Sequence, residues 1–163
     1  MSDARLGVAL AGLLLLGACG FQPVYGPGPD APGFQRQVWV EPGLVRRDFE
    51  LRERLVDRIG HASREARYTL SFEIDTEETR LALEVGGQFS RNSLLGTARY
   101  SVVDNLSGKT VHTGEVRSRA AYGGTAATYP TQVAADDAEF RLARSLADLI
   151  ANRIELTYAS WPG

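Results

Sequence analysis

Apolar and polar residues alternate along several stretches of this chain, which is the pattern of a β-strand with one buried face. In RYTLSFEIDTE, aromatic and aliphatic side chains occupy the even-numbered positions and polar ones the odd-numbered positions. The alternation predicts strands over residues 35–41, 67–77, 97–104 and 109–122. Residues 105–108 are predicted as a hairpin loop that places Gly108 at a positive φ.

A spacing of three to four residues between apolar positions predicts two amphipathic helices. The first covers residues 48–59, with Asp48 as its N-terminal cap and Gly60 at its end. The second covers residues 131–156 and follows a glycine-rich connector over residues 123–130. Its apolar stripe is expected to comprise Leu142, Leu146, Leu149, Ile150 and Ile154. Its early turns are expected to hold three acidic residues that suit the helix dipole: Asp136, Asp137 and Glu139.

The order of these elements predicts an α+β fold. We expect a mixed four-stranded sheet with two helices packed on one face, in the order β-α-β-β-β-α. Residues 79–93 are expected to be extended pieces joined by a turn at Gly86 and Gly87. The second face of the sheet is then free to meet a partner.

The N-terminal segment has the features of an export signal. Residues 6–18 form an apolar run that is too short to cross a bilayer, which needs about 20 residues, but has the length of a signal-peptide core. The run ends Leu-Gly-Ala-Cys at Cys19, which resembles the signal of a bacterial lipoprotein. Cys19 is therefore the predicted lipidation site, and the alternative is a buried cysteine at the end of a core helix.

This interpretation divides the chain into three parts. Residues 1–18 are the predicted lipoprotein signal peptide, residues 19–33 a lipidated tether rich in proline and glycine, and residues 34–163 a single α+β domain. Gly20, in place of an aspartate after the lipidated cysteine, favours the outer membrane, at its periplasmic face.

Composition excludes several classes of protein. The net charge of −2 does not suit a nucleic-acid-binding protein. One cysteine and two histidines give no metal-ligand spacing, and no catalytic or cofactor-binding motif is present, so we expect no enzyme, no metal and no cofactor. His112 is expected to be an exposed side chain on a strand.

Seventeen of the eighteen basic residues are arginine, a composition that a GC-rich genome or selection for phosphate contacts would both produce. Arg117 and Arg119 share one face of a predicted strand, and Arg80 and Arg91 flank a predicted loop. These four residues form either a solvated polar face or a contact with phosphorylated lipid or the interior of a larger protein.

The block CGFQPVYG at residues 19–26, the helix EFRLARSLADLIANRI and the preceding TYPT resemble the LPS-assembly lipoprotein LptE family of alphaproteobacterial type. The resemblance implies a lipoprotein that plugs the LptD β-barrel translocon, assists its assembly and contacts lipopolysaccharide during insertion in the outer leaflet. It also implies two helices against a four-stranded sheet. The family contacts lipopolysaccharide through basic side chains, and the charge and expected exposure of four residues make them the candidate contacts here: Arg80, Arg91, Arg117 and Arg119.

Two other functions remain open at this point. A free-standing periplasmic lipid-binding or carrier lipoprotein would require an enclosed apolar cavity of ligand size. A lipid-anchored hydrolase would require titratable groups that converge in a cleft.

Overall fold

The computed structural model describes residues 35–83, 89–125 and 127–161. Its strands are β1 (Val38–Val40), β2 (Tyr68–Leu83), β3 (Phe89–Asp104) and β4 (Lys109–Thr125). Its helices are α1 (Arg46–Ile59) and α2 (Thr128–Thr157), and a short 3-10 helix follows over Tyr158–Ser160. This order confirms the predicted β-α-β-β-β-α arrangement.

The four strands form one mixed sheet in the order β1-β2-β3-β4. Strand β1 runs parallel to β2, with Val38 opposite Tyr68, and the other two pairings are antiparallel. Connection β1-α1-β2 is thus a parallel crossover, whereas β2, β3 and β4 form a meander. The α+β fold with a mixed sheet is confirmed.

Both helices pack on one face of this sheet, and the core lies between them. The even-numbered positions of β2 and β3 face the helices, as the alternation predicts, and include the buried Leu70 and Val102. The helices run side by side in the same direction, because Arg144 of α2 bonds Glu50 of α1 and Asp148 bonds Arg54 further along both. Four α2 residues of the predicted stripe are buried: Leu142, Leu146, Ile150 and Ile154.

Small residues allow α2 to approach the sheet closely. A Cβ added to Gly96 of β3 would lie 2.8 Å from Cδ2 of Leu142, well inside van der Waals contact. On the neighbouring strand, the Ser118 and Ser145 hydroxyls share a hydrogen bond of 2.7 Å between β4 and α2. Larger side chains at these positions would separate the helix from the sheet and open voids in the core.

The start of α1 differs from the prediction. The helix begins at Arg46, two residues earlier than expected, and Asp48 is not its N-terminal cap but lies in its first turn. From there its carboxylate accepts hydrogen bonds from the backbone N–H groups of Leu44 and Val45, at 3.2 and 3.4 Å. The predicted end at Gly60 is confirmed, with φ at 87°.

The predicted connector at residues 123–130 is wrong at both ends. Strand β4 continues through Gly123 and Gly124 to Thr125, and α2 already begins at Thr128. The acidic residues from Asp136 onward therefore lie beyond the first turn, and Asp137 instead pairs with Arg141 at 2.9 Å. Leu149 is also misplaced in the predicted stripe, since it is 37% exposed.

Strand lengths also differ from the prediction. Strand β1 has three residues, and it cannot extend back to residue 35 as predicted because Arg36 adopts a φ of 67°. Strands β2 and β3 are sixteen residues each and include most of the region expected as two extended pieces. The predicted turn at Gly86 and Gly87 lies outside the described residues.

Five aromatic or imidazole rings close one end of the core. Trp161 is buried and packs edge-on against Tyr68 and Tyr158, at 5.2 and 5.3 Å between ring centroids. His112 stacks on Trp161 at 5.9 Å, and its Nε2 is 3.1 Å from the Tyr100 hydroxyl. The prediction of an exposed His112 is therefore wrong, because residues after α2 fold back over it. Burial, and secondarily the charge of Arg153, lower the pKa of His112.

We predict that Gly114→Ala destabilises the protein. A Cβ at this position would lie 2.5 to 2.7 Å from the Tyr100 phenol, so the ring would have to move, at a cost of about 1–3 kcal/mol. Urea denaturation measures the change in the free energy of unfolding. The control is Gly123→Ala on the same strand, where a Cβ meets no described heavy atom within 4 Å. Equal stability of the two variants would contradict this packing.

We also predict that the protein loses stability on acidification through His112. Its pKa is lower in the folded state, so the unfolded chain binds the proton first as the pH falls below about 6.5. The free energy of unfolding should then decrease from pH 7 downward until the folded state is also protonated. Denaturation at several pH values measures this slope, which His112→Gln should reduce and His61→Gln, at an exposed position, should retain.

Candidate functional site

The sheet face opposite the helices is the candidate site, and we call it the outer face. Its residues are the odd-numbered positions of β2, β3 and β4, which the register places in adjacent rows. Acidic residues occupy β2 and basic residues are concentrated on β4. The charged members are Glu73, Asp75 and Glu77 on β2, Arg99 on β3, and Glu115, Arg117 and Arg119 on β4.

A chain of ion pairs crosses the outer face. Asp75 accepts a hydrogen bond of 2.6 Å from Arg99, whose Nε lies 3.2 Å from Glu115. Glu115 in turn lies 2.7 Å from Nη2 of Arg117. The hydrogen bond to Asp75 and the nearby carboxylates raise the pKa of Arg99. All four side chains are solvent-exposed, so these pairs order the surface more than they stabilise the fold.

Arg117 and Arg119 lie on β4, which is an edge strand of the sheet. Arg117 lies opposite Thr97 and is 67% exposed, and Arg119 lies opposite Leu95. Arg117 has one carboxylate partner, whereas among the described residues no ion pair or hydrogen bond occupies the guanidinium of Arg119. Its donors are therefore available to an anion, and the shared face that the spacing predicts for both is confirmed.

The structure separates Arg80 from the other predicted residues. Arg80 lies opposite Asn92 and belongs to the even-numbered positions of β2, which are on the helix side of the sheet. Arg91 belongs to the odd-numbered positions of β3, which are on the outer face. Both are exposed. Arg91, Arg117 and Arg119 therefore lie on the side of the outer face, and Arg80 lies on the other side of the sheet.

Arg80 belongs to a different polar cluster on the helix side. The Tyr122 hydroxyl donates a hydrogen bond to Glu78, and Asn92 is buried beside it. Burial and the bond to Glu78 raise the pKa of Tyr122, while Asn92 and Arg80 act in the opposite direction. Sequence reasoning missed this cluster, because its members come from three strands and meet only through the register.

The acidic half of the outer face was also missed as part of the site. Its signal was present in the sequence, since Glu73, Asp75 and Glu77 occupy the odd positions of the clearest alternating segment. Only the cross-strand register shows that Asp75 and Glu115 both flank Arg99.

Two recesses are lined by described residues. One, of about 300 Å³, is a shallow depression on the outer face near Ser71, Arg99 and Ser101. The other, of about 510 Å³, lies near Arg36 and His61 and is lined by polar and charged groups. Neither is the enclosed apolar cavity that a lipid carrier requires.

Residues 35–83, 89–125 and 127–161 contain no cluster of three histidine, cysteine, aspartate or glutamate side chains arranged to hold a metal. Within the same ranges, neither helix combines the length and apolar character needed to cross a membrane. The predicted lipidation site Cys19 lies outside the described residues.

Comparison with known proteins identifies the fold. No family model and no curated protein matches the sequence. A predicted lipoprotein from Caulobacter crescentus CB15 has a similar structure, with a TM-score of 0.65 at 21% identity, covering 79% of this chain and 96% of that chain. A minor lipoprotein from Acinetobacter baumannii has a TM-score of 0.54 at 15% identity, covering 76% of this chain and 95% of that chain. Lipoprotein B from Nitrosomonas europaea has a TM-score of 0.54 at 13% identity, covering 76% of this chain and 82% of that chain. The chain shares its fold with solved structures of lipoproteins.

Proposed function

We propose that this chain is an outer-membrane lipoprotein of the LptE type, anchored through acylated Cys19. In this role it plugs the LptD β-barrel translocon, assists the assembly of that barrel and contacts lipopolysaccharide during insertion in the outer leaflet. One coincidence carries the proposal: a lipoprotein-like signal ending at Cys19 precedes a domain that has the fold of solved lipoproteins.

The surface of the domain suits a plug. The interior of a large outer-membrane barrel is polar and hydrated, so a body placed there needs charged or hydrogen-bonding surfaces. The outer face supplies such a surface through its ion-pair chain. The buried apolar side chains on the other face of the sheet are covered by the protein's own helices and need no lipid contact.

The basic edge of the outer face suits the phosphate groups of lipopolysaccharide. Guanidinium groups bind phosphate through paired N–H donors. Arg119 has its donors available, Arg117 shares its charge with Glu115, and Arg91 lies on the same side of the sheet. Arg80 would require a second contact on the helix side. We therefore expect Arg119 to contribute most to phosphate binding.

We predict that Arg117→Gln combined with Arg119→Gln weakens binding to purified lipopolysaccharide about tenfold or more, since charged hydrogen bonds contribute about 1.5–3 kcal/mol each. Fluorescent-ligand displacement measures the affinity. The matched control is Arg141→Gln with Arg144→Gln, which removes two exposed arginines of α2 that bond Asp137 and Glu50. Unchanged affinity in the β4 variant would assign its arginines to solvation alone.

We predict that the tagged chain, purified from outer membranes in mild detergent, brings LptD with it. Mass spectrometry identifies the partner and also measures acylation of Cys19. The Cys19→Ala variant should lose the acyl chains and recover less barrel, because an unanchored protein no longer shares the membrane with it. Recovery of inner-membrane transporter subunits without the barrel would refute the proposed function.

A further inference from the structure

The end of the domain where the described chain begins is built from three segments. Residues 35–37, the loop from Gly60 to Arg67 and the β3–β4 hairpin meet there. The Arg36 N–H lies 3.3 Å from the Ile59 carbonyl, and the Asn105 backbone N–H donates to the Arg67 carbonyl at 2.8 Å. The Asn105 side chain also donates to the Ala66 carbonyl at 2.8 Å. These bonds join the hairpin to the loop beside the first described residues.

The tip of this hairpin holds a leucine out into solvent. Leu106 is 81% exposed. The buried carboxylate of Asp104 fixes the tip by accepting hydrogen bonds from the Leu106 N–H at 3.1 Å and the Ser107 hydroxyl at 3.0 Å. Gly108 completes the turn with a φ of 67°. A large apolar side chain is thus presented on a rigid turn rather than on a loose loop.

A tryptophan and an arginine lie beside the hairpin. The Arg64 guanidinium sits 5.1 Å from the centre of the Trp39 ring. Trp39 is opposite Thr69 in the β1–β2 pair, and the Thr69 hydroxyl is 3.0 Å from the Asn105 side chain. Lys109 begins β4 on the other side of the tip. We call these four residues the hairpin-end surface: Trp39, Arg64, Leu106 and Lys109.

We propose that the hairpin-end surface rests on the headgroup layer of the bilayer that holds the acyl chains of Cys19, when the lipoprotein is not engaged with a protein partner. The proposal rests on the acylation included in the proposed function. Tryptophan rings, single aliphatic side chains and flanking arginine or lysine are the groups that favour the boundary between headgroups and acyl chains.

The position of the anchor supports this occupant. Fifteen residues, 20–34, separate Cys19 from Gln35, and they reach at most about 50 Å when fully extended. The domain is therefore confined near the bilayer, and its first described residues belong to the end that carries the hairpin. Under such confinement a weak contact is well populated, because the effective concentration of the membrane surface is high.

The net charge at this end of the domain is positive but small, and it is complementary to an anionic bilayer surface. The exposed cations at this end are Arg36, Arg64, Lys109 and Arg153, and the exposed carboxylates are Asp57, Glu65 and Glu155. The net positive balance favours an anionic leaflet modestly. Apolar contact through Leu106 and Trp39 is therefore expected to give most of the attachment, with phosphate contacts setting its dependence on lipid composition and salt.

The test uses the mature acylated protein in vesicles of phosphatidylethanolamine and phosphatidylglycerol, without any barrel protein. Acylation consumes the thiol of Cys19, the chain's one cysteine, so Leu106→Cys provides a unique site for an environment-sensitive fluorophore. Nitroxide-labelled lipids should quench this fluorophore about threefold more than one placed at Val133→Cys. Val133 is the matched control, because it is exposed and lies near the start of α2, at the other end of the sheet.

The charge contribution is tested with Arg64→Glu and Lys109→Glu together, which should lower quenching at position 106 in anionic vesicles and have less effect in neutral ones. Circular dichroism checks that this variant folds.

Equal quenching at positions 106 and 133 in the acylated protein would overturn the proposal. If the fluorophore also labels Cys19 and the protein leaves the vesicles, Cys19 is not acylated. That result would refute both the lipid anchor and this proposal. Failure to recover LptD in the co-purification would leave the vesicle result unaffected.

Discussion

The structure depends on the close contact between α2 and strands β3 and β4. Leu142 sits over Gly96 with no room for a Cβ, and the Ser118–Ser145 bond crosses the same interface. Burying Leu, Ile and Val side chains contributes about 1.5–3 kcal/mol each, and α2 supplies four large ones. Helix α1 then packs beside α2, where Arg54 and Arg58 both reach Asp148. Without this contact the long meander would have no covered face.

Covering only one face determines what the other can be. A sheet with a single covered face carries mainly polar side chains on the opposite one, and here the charged ones among them are arranged by strand. Arg99 joins the Asp75 carboxylate of β2 to the Glu115 carboxylate of β4, and Glu115 also pairs with Arg117. The unpaired positive charge is left at the β4 edge, and that location is a consequence of register rather than of composition.

Much of the fold could be predicted from local patterns, because alternation and helical spacing are properties of neighbouring residues. Tyr68 and Leu70 are buried as predicted. Gly60 ends α1 and Gly108 completes the hairpin turn, both at positive φ. The errors arise where distant segments decide the outcome. His112 is half-buried because the chain after α2 returns over it. The site was predicted least well: local spacing places Arg117 and Arg119 together, but only strand pairing separates them from Arg80.

The two ends of the sheet differ in a way that bears on function. Near the start of β2, the aromatic cluster packs against the core and the Asn105 side chain bonds Ala66 and Thr69. These contacts hold the β3–β4 hairpin in place. Toward the far end of β2, Glu78, Asn92 and Tyr122 form a polar cluster at the margin of the apolar core. Under the proposed function, the rigid end suits a membrane surface and the polar end suits a hydrated partner. The two ends lie apart along one sheet, so either contact would leave the packing of α2 undisturbed.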